Sequence, residues 1–259
     1  MTTAYVRRRP VSDSMVMVGR SVRHAWRNGD SLVLGVVLPV MILVLFTVVF
    51  GGALDTGGVD YVDYVVPGII LLCSGYGAST TAISVTKDMT EGIVDRFRTM
   101  TVTGSAVLFG HVAASLLRNL VSTALVVVTA VVLGFRPAAG PVEWLAVAGV
   151  VVLFVLAMSW LAAMVGLLTK TVDAAASMSF FMLFLPYASS AFVPIETMPG
   201  WLQPVARHQP VTPVIEAMRG WLSGGDVGGD GWVAVAWCVG ILVAAVVGSA
   251  LLWRRSTRD

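Results

Sequence analysis

Residues 87–100 are the segment of the chain best suited to bind a partner. Asp88, followed three residues later by Glu91, has the form of a helix N-cap, and the apolar side chains after it recur at helical spacing. The pattern predicts a short helix with apolar anchors and with charged groups that fix the register of a contact. The residues expected to make that contact are Glu91, Gly92, Arg96, Phe97, Arg98 and Met100.

Residue patterns that hydrolyse a nucleotide or hold a metal are missing from the sequence. A phosphate-binding loop needs Gly-Lys-Ser/Thr, whereas the two lysines, Lys87 and Lys170, each follow a threonine. The histidines His24, His111 and His208 are far apart and lack carboxylates at ligand spacing, so a structural or interfacial role is expected for each. We therefore expect no catalytic residue, no bound cofactor and no metal in this chain.

The composition predicts that the chain lies in a membrane. Hydrophobic residues make up 57% and charged residues 12% of the 259 residues, whereas a soluble domain has about 25% charged residues. So few charges cannot give a globule of this size a water-compatible surface, which excludes ordinary soluble enzymes, nucleic-acid-binding proteins and disordered chains. Cys73 and Cys238 both lie inside apolar runs, so no disulfide framework is implied.

Six apolar stretches are long enough to cross the membrane, because about 20 apolar residues in a helix span a hydrocarbon core of about 30 Å. They cover residues 31–51, 64–84, 106–135, 142–168, 174–193 and 231–253. The sequence therefore predicts an all-α polytopic membrane protein with six transmembrane helices. Its transmembrane domain is expected to cover residues 31–253, between cytosolic segments at residues 1–30 and 254–259.

The distribution of positive charge predicts this orientation. Of the 17 Lys and Arg residues, 13 lie in the N-terminal segment, the second and fourth loops and the C-terminal tail, whereas three lie in the odd-numbered loops. Because positively charged loops stay in the cytoplasm, both termini and residues 87–100 are expected on the cytoplasmic side. On the alternative interpretation, residues 87–100 are a solvated loop whose arginines only fix the topology.

The N-terminal segment contains a predicted amphipathic helix over residues 12–29. Met15, Val18, Val22 and Trp26 recur there at helical spacing, and arginines occupy the other faces. A basic amphipathic helix directly before a span is expected to lie in the cytoplasmic headgroup layer. The alternative is a soluble helix that packs against other protein.

Taken together, these features resemble the membrane subunits of ABC-2 type exporters, especially the daunorubicin-resistance-like permeases of actinobacteria. In that family a Glu-Gly…Arg-x-Arg stretch follows the second span, which here corresponds to Glu91-Gly92 and Arg96-Phe97-Arg98. The resemblance covers nearly the whole chain, and the order and spacing of its features make it specific. The other matching features are Pro39, Phe50-Gly51, Pro67-Gly68, Leu133-Gly134-Phe135-Arg136, Pro194, Met198-Pro199, Trp201-Leu202, Pro210, Thr212-Pro213, Glu216 and Arg219.

The resemblance implies a subunit that dimerises, with an identical or a related chain, and binds two cytosolic ATPase subunits that carry ATP and Mg. Residues 87–100 would then be the coupling helix, set in a groove of the ATPase. The implied activity is export of a hydrophobic or amphipathic molecule (a drug, an antibiotic or a lipid) across the bacterial plasma membrane. The alternative function is a stand-alone secondary transporter or channel, which would need acidic residues inside the spans for ion coupling.

Two further parts of the chain have open roles. Residues 194–222 carry five prolines and are expected to form short external helices. Trp201 and Trp221 suit the outer headgroup layer there, so these helices either cap the exit of a transport path or serve as a structural plug.

Within the spans, Tyr76, Phe181 and Tyr187 are candidates for lining a substrate path, and contact with lipid is the alternative for each. Arg118 is the ionisable residue inside a span. A charge in that position indicates a functional site by default. The third stretch is long, however, so Arg118 can also have a structural role or reach toward the cytoplasm.

Overall fold

The computed structural model describes residues 29–53, 59–91, 104–225 and 227–256, together with the single residues 18, 19, 21 and 23. Eight α-helices make up this part of the chain, and no strand occurs in it. They are α1 Gly29–Val44, α2 Tyr61–Thr90, α3 Gly104–Val132, α4 Pro141–Leu168, α5 Val172–Phe184, α6 Gln203–His208, α7 Val211–Ser223 and α8 Asp230–Ser256. The predicted all-helical fold is therefore confirmed for the described residues.

Four of these helices are long and apolar enough to cross a membrane. The spans are Tyr61–Thr90, Ala106–Val132, Pro141–Leu168 and Asp230–Trp253. The first and fifth predicted spans appear as shorter apolar helices, Gly35–Phe50 and Val172–Ala188. At a rise of about 1.5 Å per residue, such helices are shorter than a hydrocarbon core of about 30 Å. Six complete spans therefore remain a prediction.

Several of the helices begin or end at residues that favour a helix terminus. Pro141 occupies the first turn of α4, where its missing N–H leaves no hydrogen bond unmade. The Thr171 side chain caps α5 by accepting a hydrogen bond from the Ala174 N–H at 3.2 Å. Gly224 ends α7 with a φ of 68°, a conformation that glycine adopts without strain.

Helices α2 and α4 form the centre of the bundle. In each, 67% of the most apolar window is buried, against 17% in α8, so α8 presents most of its surface outward. The close approach of α2 and α4 depends on Gly166, where a Cβ atom would lie 2.7 Å from the Ala82 carbonyl oxygen. The Thr86 hydroxyl donates a hydrogen bond to the Gly166 carbonyl at 3.0 Å and links the two helices there.

The loops collect at two opposite ends of the bundle. At one end, here the Arg219 end, the Tyr61 hydroxyl donates to the Phe192 carbonyl at 3.0 Å, and the Ala138 N–H donates to the Leu222 carbonyl at 2.9 Å. The other end of the bundle, here called the Asp88 end, contains the C-termini of α2 and α4 and the N-terminus of α3. Successive long helices therefore run in opposite directions, and the predicted odd and even loops fall at different ends.

Candidate functional site

The Asp88 end holds a partly buried hydrogen bond between a carboxylate on α2 and an imidazole on α3. The His111 Nε2 atom lies 3.0 Å from Asp88 Oδ2, and the two side chains are only 12% and 14% exposed. Lys87 and Glu91 form a second pair at 3.8 Å, which is largely exposed. A buried hydrogen bond to a carboxylate costs more to break than an exposed ion pair, so the Asp88–His111 contact contributes more than the Lys87–Glu91 pair to the stability of this end.

This contact was not predicted from the sequence, where His111 lacked a carboxylate at any usual spacing. Asp88 and His111 are 23 residues apart and meet because α2 and α3 pack antiparallel. Their register is visible one layer further in, where Thr81 on α2 accepts a hydrogen bond from Arg118 on α3. Thr81 and Asp88 are seven positions apart on α2, and His111 and Arg118 are seven positions apart on α3. Seven positions are about two helical turns, so the two residues of each helix lie on the same face.

The predicted coupling segment is described only at its beginning. Helix α2 continues to Thr90, so residues 87–90 are the last turn of a spanning helix, and Glu91 follows directly as its C-terminal residue. Gly92, Arg96, Phe97, Arg98 and Met100 lie outside the described residues. Most of the predicted N-terminal amphipathic helix, residues 12–29, also lies outside them. Their roles stay predictions.

A small cavity lies between α1, α2 and α3, beside the midpoint of α3. Its volume is about 20 Å³, room for about one water molecule. Arg118 reaches into it and donates to the Thr81 hydroxyl at 3.4 Å. The Arg118 side chain therefore points toward α2. The residues around the cavity are Gly35, Val36, Cys73, Tyr76, Gly77, Thr80, Arg118, Asn119 and Ser122.

A row of aromatic rings runs from α5 to the end of α1. Phe180 contacts Phe184 with ring centroids 4.7 Å apart, and Phe184 contacts Tyr187 at 5.9 Å. Tyr187 stacks on Phe192 at 5.1 Å, and Phe192 contacts Phe46 at 4.7 Å. These five rings, called the aromatic row below, present a continuous surface on which planar or apolar molecules can pack.

The structure brings together two of the three predicted path residues. Tyr76 lies at the cavity, and its side chain interacts with that of Tyr187, which belongs to the aromatic row. Phe181 points away from both and is 76% exposed on the outer surface of α5. Because Phe180 and Phe181 are consecutive residues of one helix, their side chains lie about 100° apart around its axis, so only Phe180 can join the row.

The predicted external helices are present as α6 and α7 at the Arg219 end. Trp201 is 75% exposed just before α6, whereas Trp221 is half-buried against the core. Arg219 attaches α7 to the rest of the bundle. Its guanidinium donates to the Tyr64 and Ser190 carbonyls, both at 3.0 Å, and to Glu216 at 2.7 Å.

Long apolar helices packed into a bundle, with charged groups at both ends, define a multi-pass membrane protein. The family of ABC-2 type transporters matches residues 13–222 of the chain. The chain therefore belongs to the ABC-2 type transporter family and is a membrane subunit of an ATP-binding-cassette exporter. Its expected resemblance to this family is confirmed.

Three relatives align over most of the chain. The "Probable doxorubicin resistance ABC transporter permease protein DrrC" of Mycobacterium tuberculosis is 28% identical over 248 residues, 95% of this chain and 90% of the relative. The "Daunorubicin resistance ABC transporter permease protein DrrB1" of Streptomyces coeruleorubidus is 28% identical over 239 residues, 89% and 82% of the two chains. The "Putative transport permease ycf38" of Porphyra purpurea is 25% identical over 214 residues, 81% and 73%.

Proposed function

We propose that this permease exports a hydrophobic or amphipathic molecule across the plasma membrane of a bacterium, driven by separate ATPase subunits. The match to the ABC-2 family over residues 13–222 carries the proposal. The names of the two relatives that refer to doxorubicin and daunorubicin resistance support a drug, an antibiotic or a lipid-like amphiphile as the cargo. ATP and Mg are bound by the ATPase and not by this chain.

The assembly proposed is two permease chains, identical or related, with two ATPase subunits. The proposal keeps six crossings in each permease, of which α1 and α5 are the two shorter ones. The termini and the Asp88 end face the cytoplasm, because 13 of the 17 Lys and Arg residues lie on that side in the six-span arrangement. The Arg219 end then faces outward.

Residues 92–100 act in this proposal as the lever that transmits ATPase closure to the membrane. They connect α2 to α3, and the Asp88–His111 contact at 3.0 Å ties these two helices together beside the lever. When closure of the ATPase displaces residues 92–100, α2 and α3 therefore move together as one rigid body and do not separate. Phe97 and Met100 serve as apolar anchors in the ATPase groove, and Glu91, Arg96 and Arg98 set the register.

The route of the cargo follows Tyr76 and the aromatic row toward the Arg219 end. The row is partly exposed on the side of the chain formed by α1 and α5, and a second permease chain covering that side would enclose it. Phe181, which projects further outward, then contacts the second chain or the cargo. Helices α6 and α7, with Trp201 and Trp221, cap the outer exit.

The test is reconstitution of the permease with its cognate ATPase in lipid vesicles. Gly92→Trp and Arg96→Glu are expected to lower cargo-stimulated ATP hydrolysis and transport by about tenfold or more, because a misplaced lever no longer engages the ATPase. Arg207→Glu is the matched charge reversal at the opposite end, on a side chain that is 54% exposed, and should behave as the wild type. All three variants must first insert and purify in normal yield.

Two results would contradict the proposal. One is normal transport by well-inserted Gly92→Trp and Arg96→Glu variants, which would remove the coupling role of residues 92–100. The other is transport by the purified permease without an ATPase, which would favour a stand-alone transporter.

A further inference from the structure

Arg118 occupies the centre of a membrane span. Helix α3 covers Gly104–Val132, and at about 1.5 Å per residue Arg118 is about 21 Å from either end. That distance places the base of its side chain near the middle of the hydrocarbon core. A guanidinium keeps its positive charge in proteins, and a charge at this depth needs compensation by the protein or by a ligand.

The described residues around Arg118 do not supply that compensation. Its one hydrogen bond goes to the neutral hydroxyl of Thr81 at 3.4 Å, and its buried Nε atom has no hydrogen-bond partner. The first carboxylate along the facing helix is Asp88, seven residues and about 10 Å beyond Thr81, and it already contacts His111 at 3.0 Å. The site therefore has an excess of positive charge and of hydrogen-bond donors.

The cavity beside Arg118 is shaped to take one small polar group. Its inner wall is buried and consists of Cys73, Gly77, Asn119 and Ser122, while its rim is partly exposed. A volume of about 20 Å³ accepts one oxygen atom of a carboxylate or phosphate, so the rest of the head group and the apolar body must lie at the partly exposed rim. Gly77 contributes to this shape, because a Cβ atom there would collide with the side-chain amide of Asn119.

The rim connects the cavity to an apolar surface. Tyr76 stands on the rim, and its side chain interacts with Tyr187 of the aromatic row. Phe184 follows at 5.9 Å from the Tyr187 ring, and it is half exposed. A molecule with a small charged head in the cavity can therefore lay an apolar body along the row.

We propose that Arg118 binds the anionic group, a carboxylate or a phosphate, of an amphiphile whose apolar part packs on Tyr76, Tyr187 and Phe184. The proposal rests on the proposed function in one respect, since it names the charge class of the cargo. An oxyanion forms charge-assisted hydrogen bonds with the terminal nitrogens of the guanidinium and offsets its buried charge. A cationic amphiphile of the same shape is repelled, so the site selects by charge.

The experiment measures binding to the purified permease in phosphatidylcholine nanodiscs, without an ATPase. The probes are 11-(dansylamino)undecanoic acid, its methyl ester and the amine of equal chain length, followed by dansyl fluorescence. The acid is expected to bind about tenfold more tightly than the ester, the difference typical of a charge-assisted hydrogen bond, and the amine more weakly than either. Equal affinities of acid and ester for the wild type would overturn the proposal without the need for any variant.

Variants then assign the preference to Arg118. Arg118→Gln keeps a polar side chain but removes the charge, and it should lose the preference for the acid while ester binding is unchanged. Arg118→Lys keeps the charge and should retain part of the preference. Arg136→Gln, a control on an exposed arginine at the Arg219 end, should behave as the wild type. A folded Arg118→Gln protein that still prefers the acid would refute the assignment.

Nanodiscs that also contain phosphatidylglycerol distinguish the two sources of the anion. If this lipid displaces the acid, a lipid phosphate occupies the site; if it does not, the site is reserved for a free amphiphile, and both results support an anion site. Loss of acid preference in a variant that still exports with the ATPase would reject the charge class of the cargo and leave the exporter function intact. Failure of ATP-driven export with intact acid binding would reject the exporter function and leave the anion site intact.

Discussion

Replacing Arg219 with methionine is expected to destabilise the permease strongly. The guanidinium of Arg219 donates to the carbonyls of Tyr64 and Ser190, both at 3.0 Å, and its carbon atom lies 3.7 Å from the centroid of the Tyr64 ring. These contacts join α7 to α2 and to the segment after α5. Methionine fills a similar volume but makes none of the polar contacts.

The expected loss follows from these contacts. A hydrogen bond from a charged donor contributes about 1.5 kcal/mol or more, and the cation–π contact about 1 kcal/mol. The two carbonyl bonds and the ring contact of Arg219, which is only 18% exposed, therefore give a loss of about 4 kcal/mol. For a chain of this length the unfolding midpoint should fall by about 10 °C.

Tryptophan fluorescence during heating in detergent measures this midpoint. Arg207→Met is the matched control on the same outer segment, since its pair with Glu196 at 3.4 Å joins side chains that are 54% and 74% exposed. Exposed pairs contribute about 0–1 kcal/mol, so this control should shift the midpoint little. Equal midpoints for Arg219→Met and Arg207→Met would refute a stabilising role of the Arg219 contacts.

Two other contacts give further predictions. Gly166→Val should lower stability by about 1–3 kcal/mol, because a Cβ atom at this position would lie 2.7 Å from the Ala82 carbonyl oxygen and would force α4 away from α2. Gly149→Val, on the same helix but with open space around it, should leave thermal unfolding unchanged. Equal effects of the two substitutions would exclude close packing at Gly166 as the cause. Asp88→Asn and His111→Ala should each weaken cargo-stimulated ATP hydrolysis, and the loss in the double variant should be smaller than the sum of the two, because both substitutions act on the Asp88–His111 contact. Additive losses in that assay would show that the two residues act separately.

The positions of the long helices could be predicted from composition and hydropathy. Predicted stretches 142–168 and 231–253 correspond closely to Pro141–Leu168 and Asp230–Ser256. Helix α2 was predicted to end at residue 84 but continues to Thr90. Its last turns are rich in polar residues that lower the hydropathy, and the hydroxyls of Thr86 and Thr90 find hydrogen-bond acceptors within the helix, at carbonyls four residues earlier.

The first and fifth predicted spans show where hydropathy is insufficient. Apolar sequence continues past Phe184, but the α-helix ends there, just before Pro186, which has no N–H to donate to the preceding turn. The following segment packs on α2, where Gly68 admits Ala191 so closely that a Cβ atom would lie 2.5 Å from the Ala191 Cβ. Apolar character favours burial in either setting, so it cannot distinguish a full span from a segment that folds back onto the bundle.

The sequence alone determined that this is an all-helical membrane protein, because the free energy of placing each apolar stretch in lipid depends on its own residues. It also determined the family, through motifs whose order is fixed along the chain. Only the tertiary structure decided that His111 faces Asp88, that Tyr76 joins Tyr187 while Phe181 does not, and that Arg118 reaches a cavity. These contacts depend on the rotation of each helix and on its register against its neighbours, which arise from packing between residues far apart in the chain.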